Sequence, residues 1–245
     1  MILGRLRKYA VISQWINNTL GKISLLKESK EQAVMIKTRN RENLVKEIEK
    51  HFPLDTHVKD AFLSVDRDIF VPKEFSHLSY GLEALPLAAS QWISSPLTVA
   101  KMTQHLELKG VDSVLEIGCG SGYQAAILSK ICRRVFTIER ISELLKEAKN
   151  RFSEHEMHNI ITCFDDGQRG WKQYAPFERI LFSATAKEIP EVLFEQLAEG
   201  GILIAPVEET KNYHIITRYY KKKGRISSET IEQCLFVPVL NGTQK

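Results

Sequence analysis

Val114-Leu115-Glu116-Ile117-Gly118-Cys119-Gly120-Ser121-Gly122 is a short apolar strand that runs into a glycine-rich turn, and Tyr123, Ala126, Ile127 and Ile131 then mark a helix. Glycines let the backbone turn sharply and approach a ligand closely. Strand, glycine turn and helix in that order form the context in which such a turn holds a nucleotide-like ligand. The spacing is ExGxGSG. It is not the GxGxxG in which a pyrophosphate rests on a helix N-terminus. Glu116, two positions before the first glycine, suits a cationic ligand better than an anionic one.

Outward from this stretch, strand and helix alternate. Val135–Ile138 is a second strand ending at Glu139, and Ser142 suits the N-cap of a helix carrying Leu145, Ala148 and Phe152. Ile160–Cys163, Ile180–Phe182 and Ile202–Ala205 are further strands, and Pro190 suits the first turn of a helix that ends at Gly200-Gly201. Repeated strand–helix units predict a parallel sheet covered on both faces. Tyr213–Tyr220 and Ile231–Val237, joined by a Lys/Gly turn, read as an antiparallel hairpin at the sheet edge. The expected fold is α/β: a Rossmann-like, doubly wound, mostly parallel seven-stranded sheet with an antiparallel edge hairpin and N-terminal helices. Asn40–Phe52, with Leu44, Ile48 and Phe52 four apart, is an amphipathic helix, and Thr56–Val65 is another. Residues 1–34 carry no motif and read as an extension, helical or mobile. Residues 35–245 read as one domain: a helical and substrate-loop region at 35–109 and the core at 110–245.

Three acidic positions converge beyond the carboxyl ends of the strands, where such sheets bind ligands. Glu116 precedes the glycines. Glu139 ends the second strand, where an acid accepts hydrogen bonds from both ribose hydroxyls. Asp165-Asp166-Gly167 follows the third strand, and a carboxylate or backbone group there reaches toward an adenine. An acidic site for a ribose- and adenine-bearing cation fits S-adenosylmethionine, which carries an amino group and a sulfonium. Glu116, Gly118, Cys119, Gly120, Ser121, Glu139, Arg140, Asp166 and Gly167 are the expected cofactor residues. NAD is the alternative cofactor, which the spacing and the leading acid disfavour. Flavin fits less well.

The chain has 245 residues, 43% hydrophobic and 26% charged, an ordinary globular composition. A net charge of +4 is too small to argue for nucleic acid. The one dense basic run, Lys221-Lys222-Lys223, reads as a solvated hairpin turn. No apolar run approaches the length of a membrane span, and no signal peptide is evident. The four cysteines form no CxxC pair and have no metal-ligand spacing; they read as reduced thiols of a cytoplasmic protein.

More specific blocks follow. VLEIGCGSGYQAAILS, VFTIERISELLKEA and DDGQRGWKQYAPFERILFSATAKEIPEVLFEQLAEGGILIAPV are joined upstream by VDRDIFVP and ISSPLTVAKMTQHL, and downstream by CLFVPVLNG. From about Arg41 to Gly242 the chain resembles protein-L-isoaspartate O-methyltransferases. The resemblance implies an enzyme that methylates the carboxylate of isoaspartyl residues in damaged proteins or peptides, leaving S-adenosylhomocysteine. The ester then collapses to a succinimide that reopens as aspartate. It further implies that Ser94 is the active-site hydroxyl, with Trp92, Ile93 and Ser95 in the substrate segment. A monomer without membrane or nucleic-acid partners is expected, and nothing points to a metal. Leu85–Ser94 departs from the family's PLPIGxGxTIS-like run: both glycines are absent and Trp92 stands for the threonine. Glu178 and Asp165 replace the usual Asp and Gly. The residues therefore leave open another acceptor (RNA or a small molecule) or a non-catalytic cofactor-binding relative.

Overall fold

Alternation along one strand divides the core. Val114 packs with the helices of the N-terminal half, whereas Leu115 and Ile117 pack on the opposite face with Phe136, Ile138, Ile180, Phe182 and Leu203. Burial on both sides makes the strand nearly uniformly apolar. The computed structural model describes residue 29 and residues 31–210 and 213–244.

Helix α1 runs through 31–49 and α2 spans Thr56–Ser64. A ribbon of β1 (Leu85–Leu87) and β2 (Gln91–Ile93) leads into α3 (Pro96–His105). The core follows as β3 (Ser113–Ile117), α4 (Tyr123–Ser129), β4 (Arg134–Glu139), α5 (Ser142–Glu154), β5 (Ile160–Phe164) and β6 (Phe177–Phe182). It ends with α6 (Glu191–Gln196), β7 (Leu197–Thr210), β8 (Tyr213–Lys222) and β9 (Arg225–Cys234). The 7-stranded sheet has the order β5-β4-β3-β6-β7-β8-β9. β5, β4, β3, β6 and β7 are parallel, and β8 and β9 are antiparallel. The expected doubly wound sheet with an edge hairpin is therefore present. β3 has β4 on one side and β6 on the other, so the order reverses at the end of β3, where a ligand crevice opens.

Several boundaries differ from expectation. Helix α6 ends at Gln196, not at Gly200-Gly201. Lys221 Nζ donates to the carbonyls of Phe194 and Leu197 at 2.7 and 2.8 Å, which closes the helix early. The glycines serve an irregular start to β7: Gly200 has φ +77°, and a Cβ on Gly201 would lie 2.7 Å from the Ala198 carbonyl. Ser142 is not the cap of α5; Ile141 holds that position. Its N–H donates to Glu139 at 2.9 Å, and the Ser142 N–H donates to the Gln244 carbonyl at 2.9 Å. The last hairpin strand is Arg225–Cys234, not Ile231–Val237, because the turn falls at Lys223 and Gly224, both at positive φ. The chain beyond it leaves the sheet to pair with Thr185, which donates to the Val237 carbonyl and accepts from the Val239 N–H, both at 2.7 Å.

The basic run at 221–223 is that hairpin turn, held by Glu199 against the backbone N–H groups of Lys223 and Gly224. Residues 1–28 and 30 of the expected extension lie outside the described residues. Helix α1 crosses the expected boundary at 34/35, and residues 31–36 are exposed along it. No helix among the described residues is long and apolar enough to cross a membrane.

Candidate active site

The glycine turn after β3 is shaped by positive φ at Gly118 (+92°), Gly120 (+54°) and Gly122 (+92°). Gly122 also lacks room: a Cβ there would lie 2.6 Å from the Phe152 ring. The N–H groups of Gly118 and Cys119 donate to the Ile138 carbonyl at 2.9 and 3.2 Å, which ties the turn to β4. Gly120 N–H donates to Glu139 Oε2 at 2.8 Å. Glu139 thus bridges the glycine turn and the start of α5, since its Oε1 accepts from Ile141. Burial raises its carboxyl above the usual range, opposed by the backbone N–H groups of Gly120, Ile141 and Arg140. Each of its oxygens has a further lone pair for a ribose hydroxyl.

Glu116 is fully buried. Thr137 Oγ1 donates to its Oε2 at 2.6 Å, and Ser183 Oγ to its Oε1 at 2.9 Å. Burial pushes its carboxyl up to about 8; the two hydroxyls oppose this and the charge of Glu139 adds to it. A cationic ligand group placed beside it favours the ionised form. Cys119 is buried, and burial holds its thiol well above the usual range. Ser121 is buried and its Oγ accepts from Tyr123 N–H at 3.3 Å.

Glu139, Arg140 and Gly167 line a cleft with Gly118, Gly120 and the C-terminal residues Val237–Leu240. Asp166 is not among its lining residues. Its carboxylate accepts from Gln168 N–H at 3.0 Å and from Gly242 N–H at 2.8 Å. Of the expected adenine-side pair, it is Gly167 that reaches the cleft; Asp166 braces the tail against the third loop. Arg140 braces the same tail, donating from Nε to the Gly242 carbonyl at 2.8 Å.

A second cavity joins Glu116 and the turn Gly118–Ser121 to Trp92, Ile93 and Ser94. A third, about 380 Å³, opens beyond it, bordered by Trp92, Ser94, Ser95 and Leu235. Ser94 and Trp92 thus border both the cavity at the glycine turn and the open one beyond it. Ile93 is buried beneath them, and Ser95 takes the cap position of α3.

The backbone of Ser94 is held by a residue outside every expected site set. Arg67 is fully buried. Its Nη1 donates to the carbonyls of Ser79 and Gly81 at 2.9 and 3.2 Å, and its Nη2 to those of Glu83 and Ser94 at 3.1 and 3.2 Å. Its Cζ lies 5.5 Å from the centroid of the Tyr123 ring. Burial lowers its pKa, opposed by the nearby Tyr123 hydroxyl and Glu83 carboxylate. Thr137, Ser183 and the tail Val237–Leu240 were likewise missed. The one visible signal for Arg67 was its place inside the VDRDIFVP block.

One of the missing glycines, at Ser90, has a structural cost. Gln91 N–H donates to the Ala88 carbonyl at 3.1 Å, closing a turn whose central residues Ala89 and Ser90 have φ +54° and +56°. Two consecutive positive φ values are the type I′ pattern that favours glycine. Ser90→Gly is expected to stabilise the fold by about 1 kcal/mol, because αL backbone costs a side-chain-bearing residue about 1–2 kcal/mol and glycine's added unfolded-state freedom returns part of it. An unchanged or lowered urea midpoint would contradict that strain.

A carboxylate for the ribose, a glycine turn open to close approach and a buried acid for a cation together fit S-adenosylmethionine. Among the described residues no cluster of three or more His, Cys, Asp or Glu is placed to hold a metal.

The family model described as protein-L-isoaspartate(D-aspartate) O-methyltransferase matches residues 38–244. A Helicobacter pylori strain J99 protein named protein-L-isoaspartate O-methyltransferase is 54% identical over 202 residues, covering 82% of this chain and 96% of its own. A Maricaulis maris protein of the same name is 43% identical, covering 77% of this chain and 88% of its own. A solved protein-L-isoaspartate O-methyltransferase superposes with TM-score 0.77 at 25% identity, over 82% of this chain and 66% of that one. A Plasmodium falciparum structure described as a protein of this kind in complex with S-adenosyl-L-homocysteine has TM-score 0.73 at 22% identity, covering 81% of this chain and 97% of its own, and attests the fold.

Proposed function

We propose that this chain, which belongs to the protein-L-isoaspartate(D-aspartate) O-methyltransferase family, methylates the free carboxylate of L-isoaspartyl residues in damaged proteins. The observation that carries the reading is the position of Ser94, which borders both the cavity at the glycine turn and the open acceptor cavity. S-adenosylmethionine, when bound, supplies a methyl group on a cationic sulfur. Glu139 and the turn Gly118–Ser121 would hold its ribose and chain, with Glu116 behind them.

The remaining work falls to orientation. An isoaspartyl carboxylate is already ionised at neutral pH, so no general base is required. The Ser94 hydroxyl donates to one carboxylate oxygen and leaves the other facing the cofactor cavity. Fixing that geometry lowers the barrier by pre-ordering the partners. Ile93 and Val99, which line the same cavity, help exclude water from it. Ser94→Ala should lower kcat about ten- to a hundredfold, because losing one hydrogen bond to a charged group costs about 1.5–3 kcal/mol. Cofactor affinity should be unchanged. Equal rates for variant and wild type on an isoaspartyl peptide would remove Ser94 from this role.

Residues 1–34 are read as an extension outside the methyltransferase domain, which we place at 35–245. The exposure of 31–36 supports this. Deleting 1–34 should leave cofactor affinity unchanged by calorimetry; a truncated chain that fails to bind would place the extension in the site's framework. The working unit is taken to be one chain, and the free thiols at Cys119, Cys132, Cys163 and Cys234 support a reducing, cytoplasmic setting.

A further inference from the structure

Trp92 borders all three cavities of the site. It is 54% exposed, although Ile93 beside it in β2 is buried. Consecutive residues of a strand point to opposite sides, so burying Ile93 turns the indole outward. The ring's backbone is fixed by its pairing opposite Pro86 in the β1–β2 ribbon. Leu235 also borders the 380 Å³ acceptor cavity and is 72% exposed, with Phe236 and Val237 next to it. Single exposed apolar residues need no explanation. Two large ones lining the same cavity as the acceptor-holding serine do. With Ser94 on the carboxylate, this cavity is the space beside it that a neighbouring side chain of the peptide can fill.

We infer that Trp92 and Leu235 form a subsite for an aromatic or aliphatic side chain next to the isoaspartyl residue of the acceptor peptide. The inference rests on the reading of Ser94 given above. No Lys or Arg lines the cavity. A nucleic-acid strand would arrive with phosphates that need cations, and an acidic flanking residue would likewise find no partner. A rigid aromatic wall instead offers apolar contact at small entropic cost.

The test uses isoaspartyl peptides identical except for Phe, Gly or Glu on one side of the isoaspartate, with a parallel series on the other side. The readout is the ratio of kcat/KM between Phe- and Gly-flanked peptides in one preparation, so any general loss of activity cancels. In at least one series the wild type should favour Phe about tenfold, carried by KM, as expected for one well-buried apolar group. Glu should be no better than Gly. The ratio should fall to about two in Trp92→Thr and shrink at least about threefold in Leu235→Ser, on the scale of that single apolar contact. The second variant decides the matter if the first is inactive. A wild-type ratio near one with both peptides methylated overturns the subsite while leaving the activity intact. So does a ratio that survives both substitutions. Methylation of neither peptide overturns the Ser94 reading and the subsite with it. Competition by single-stranded RNA that disappears in Trp92→Thr would give the ring to nucleotide stacking and overturn the peptide assignment.

Discussion

Replacing Arg67 with methionine is expected to destabilise the fold by about 3–5 kcal/mol, because four inward-facing carbonyls lose their donors in a site that water does not reach. At about 2–4 °C per kcal/mol for a chain of this size, the melting temperature should fall by roughly 10 °C. The carbonyls of Ser79, Gly81 and Glu83 come from one turn and that of Ser94 from just past the end of β2, and only the planar guanidinium fork reaches all of them. Loss of the bond to Ser94 should also loosen the acceptor side, so kcat/KM for an isoaspartyl peptide should fall further than cofactor affinity, measured where both proteins are folded. Arg67→Lys, with a compact ammonium, should recover only part of both effects. A methionine variant of wild-type stability would show that the carbonyls find other partners.

Glu139→Ala should weaken S-adenosylhomocysteine binding about a hundredfold or more, since two hydrogen bonds from ribose hydroxyls to a charged acceptor are each worth about 1.5–3 kcal/mol. The same substitution frees Gly120 and Ile141, which the carboxylate holds at 2.8 and 2.9 Å. The rise in melting temperature that ligand gives the wild type by mass action should be nearly lost at the same ligand concentration. Glu139→Gln, which keeps one acceptor oxygen, should fall between. Calorimetry showing wild-type affinity for the alanine variant would remove Glu139 from the ribose site.

What the sequence made legible were features carried by local pattern. The strand–glycine–helix order at 113–129 and the acid ending β4 needed only neighbours in the chain. So did the Lys/Gly turn of the edge hairpin. Other features depend on partners far apart. That Glu116 is a buried acid follows from Thr137 on β4 and Ser183 beyond β6, which meet it only once the sheet forms. The clamp by Arg67 gathers carbonyls up to 27 residues away. The stretch Asp165–Gly167 is expected to reach the adenine by a carboxylate or a backbone group; the Asp166 carboxylate is also held by the N–H of the C-terminal Gly242, which nothing near Asp166 in sequence announces. The end of α6 was misplaced for the same reason: glycine is a sound helix-stop signal, yet a lysine from the edge hairpin caps the helix first. The departure at Ser90 is legible in the sequence because the family's run carries a glycine there, whereas the positive φ of Ala89, where the run has no glycine, is not.

The most direct test of the account is transfer of labelled methyl from S-adenosylmethionine to three acceptors offered in parallel: an isoaspartyl peptide, its normal aspartyl counterpart and total RNA. The expected result is base-labile label on the isoaspartyl peptide alone, dependent on Ser94. Label on RNA, or none on the isoaspartyl peptide while the cofactor binds, would contradict it.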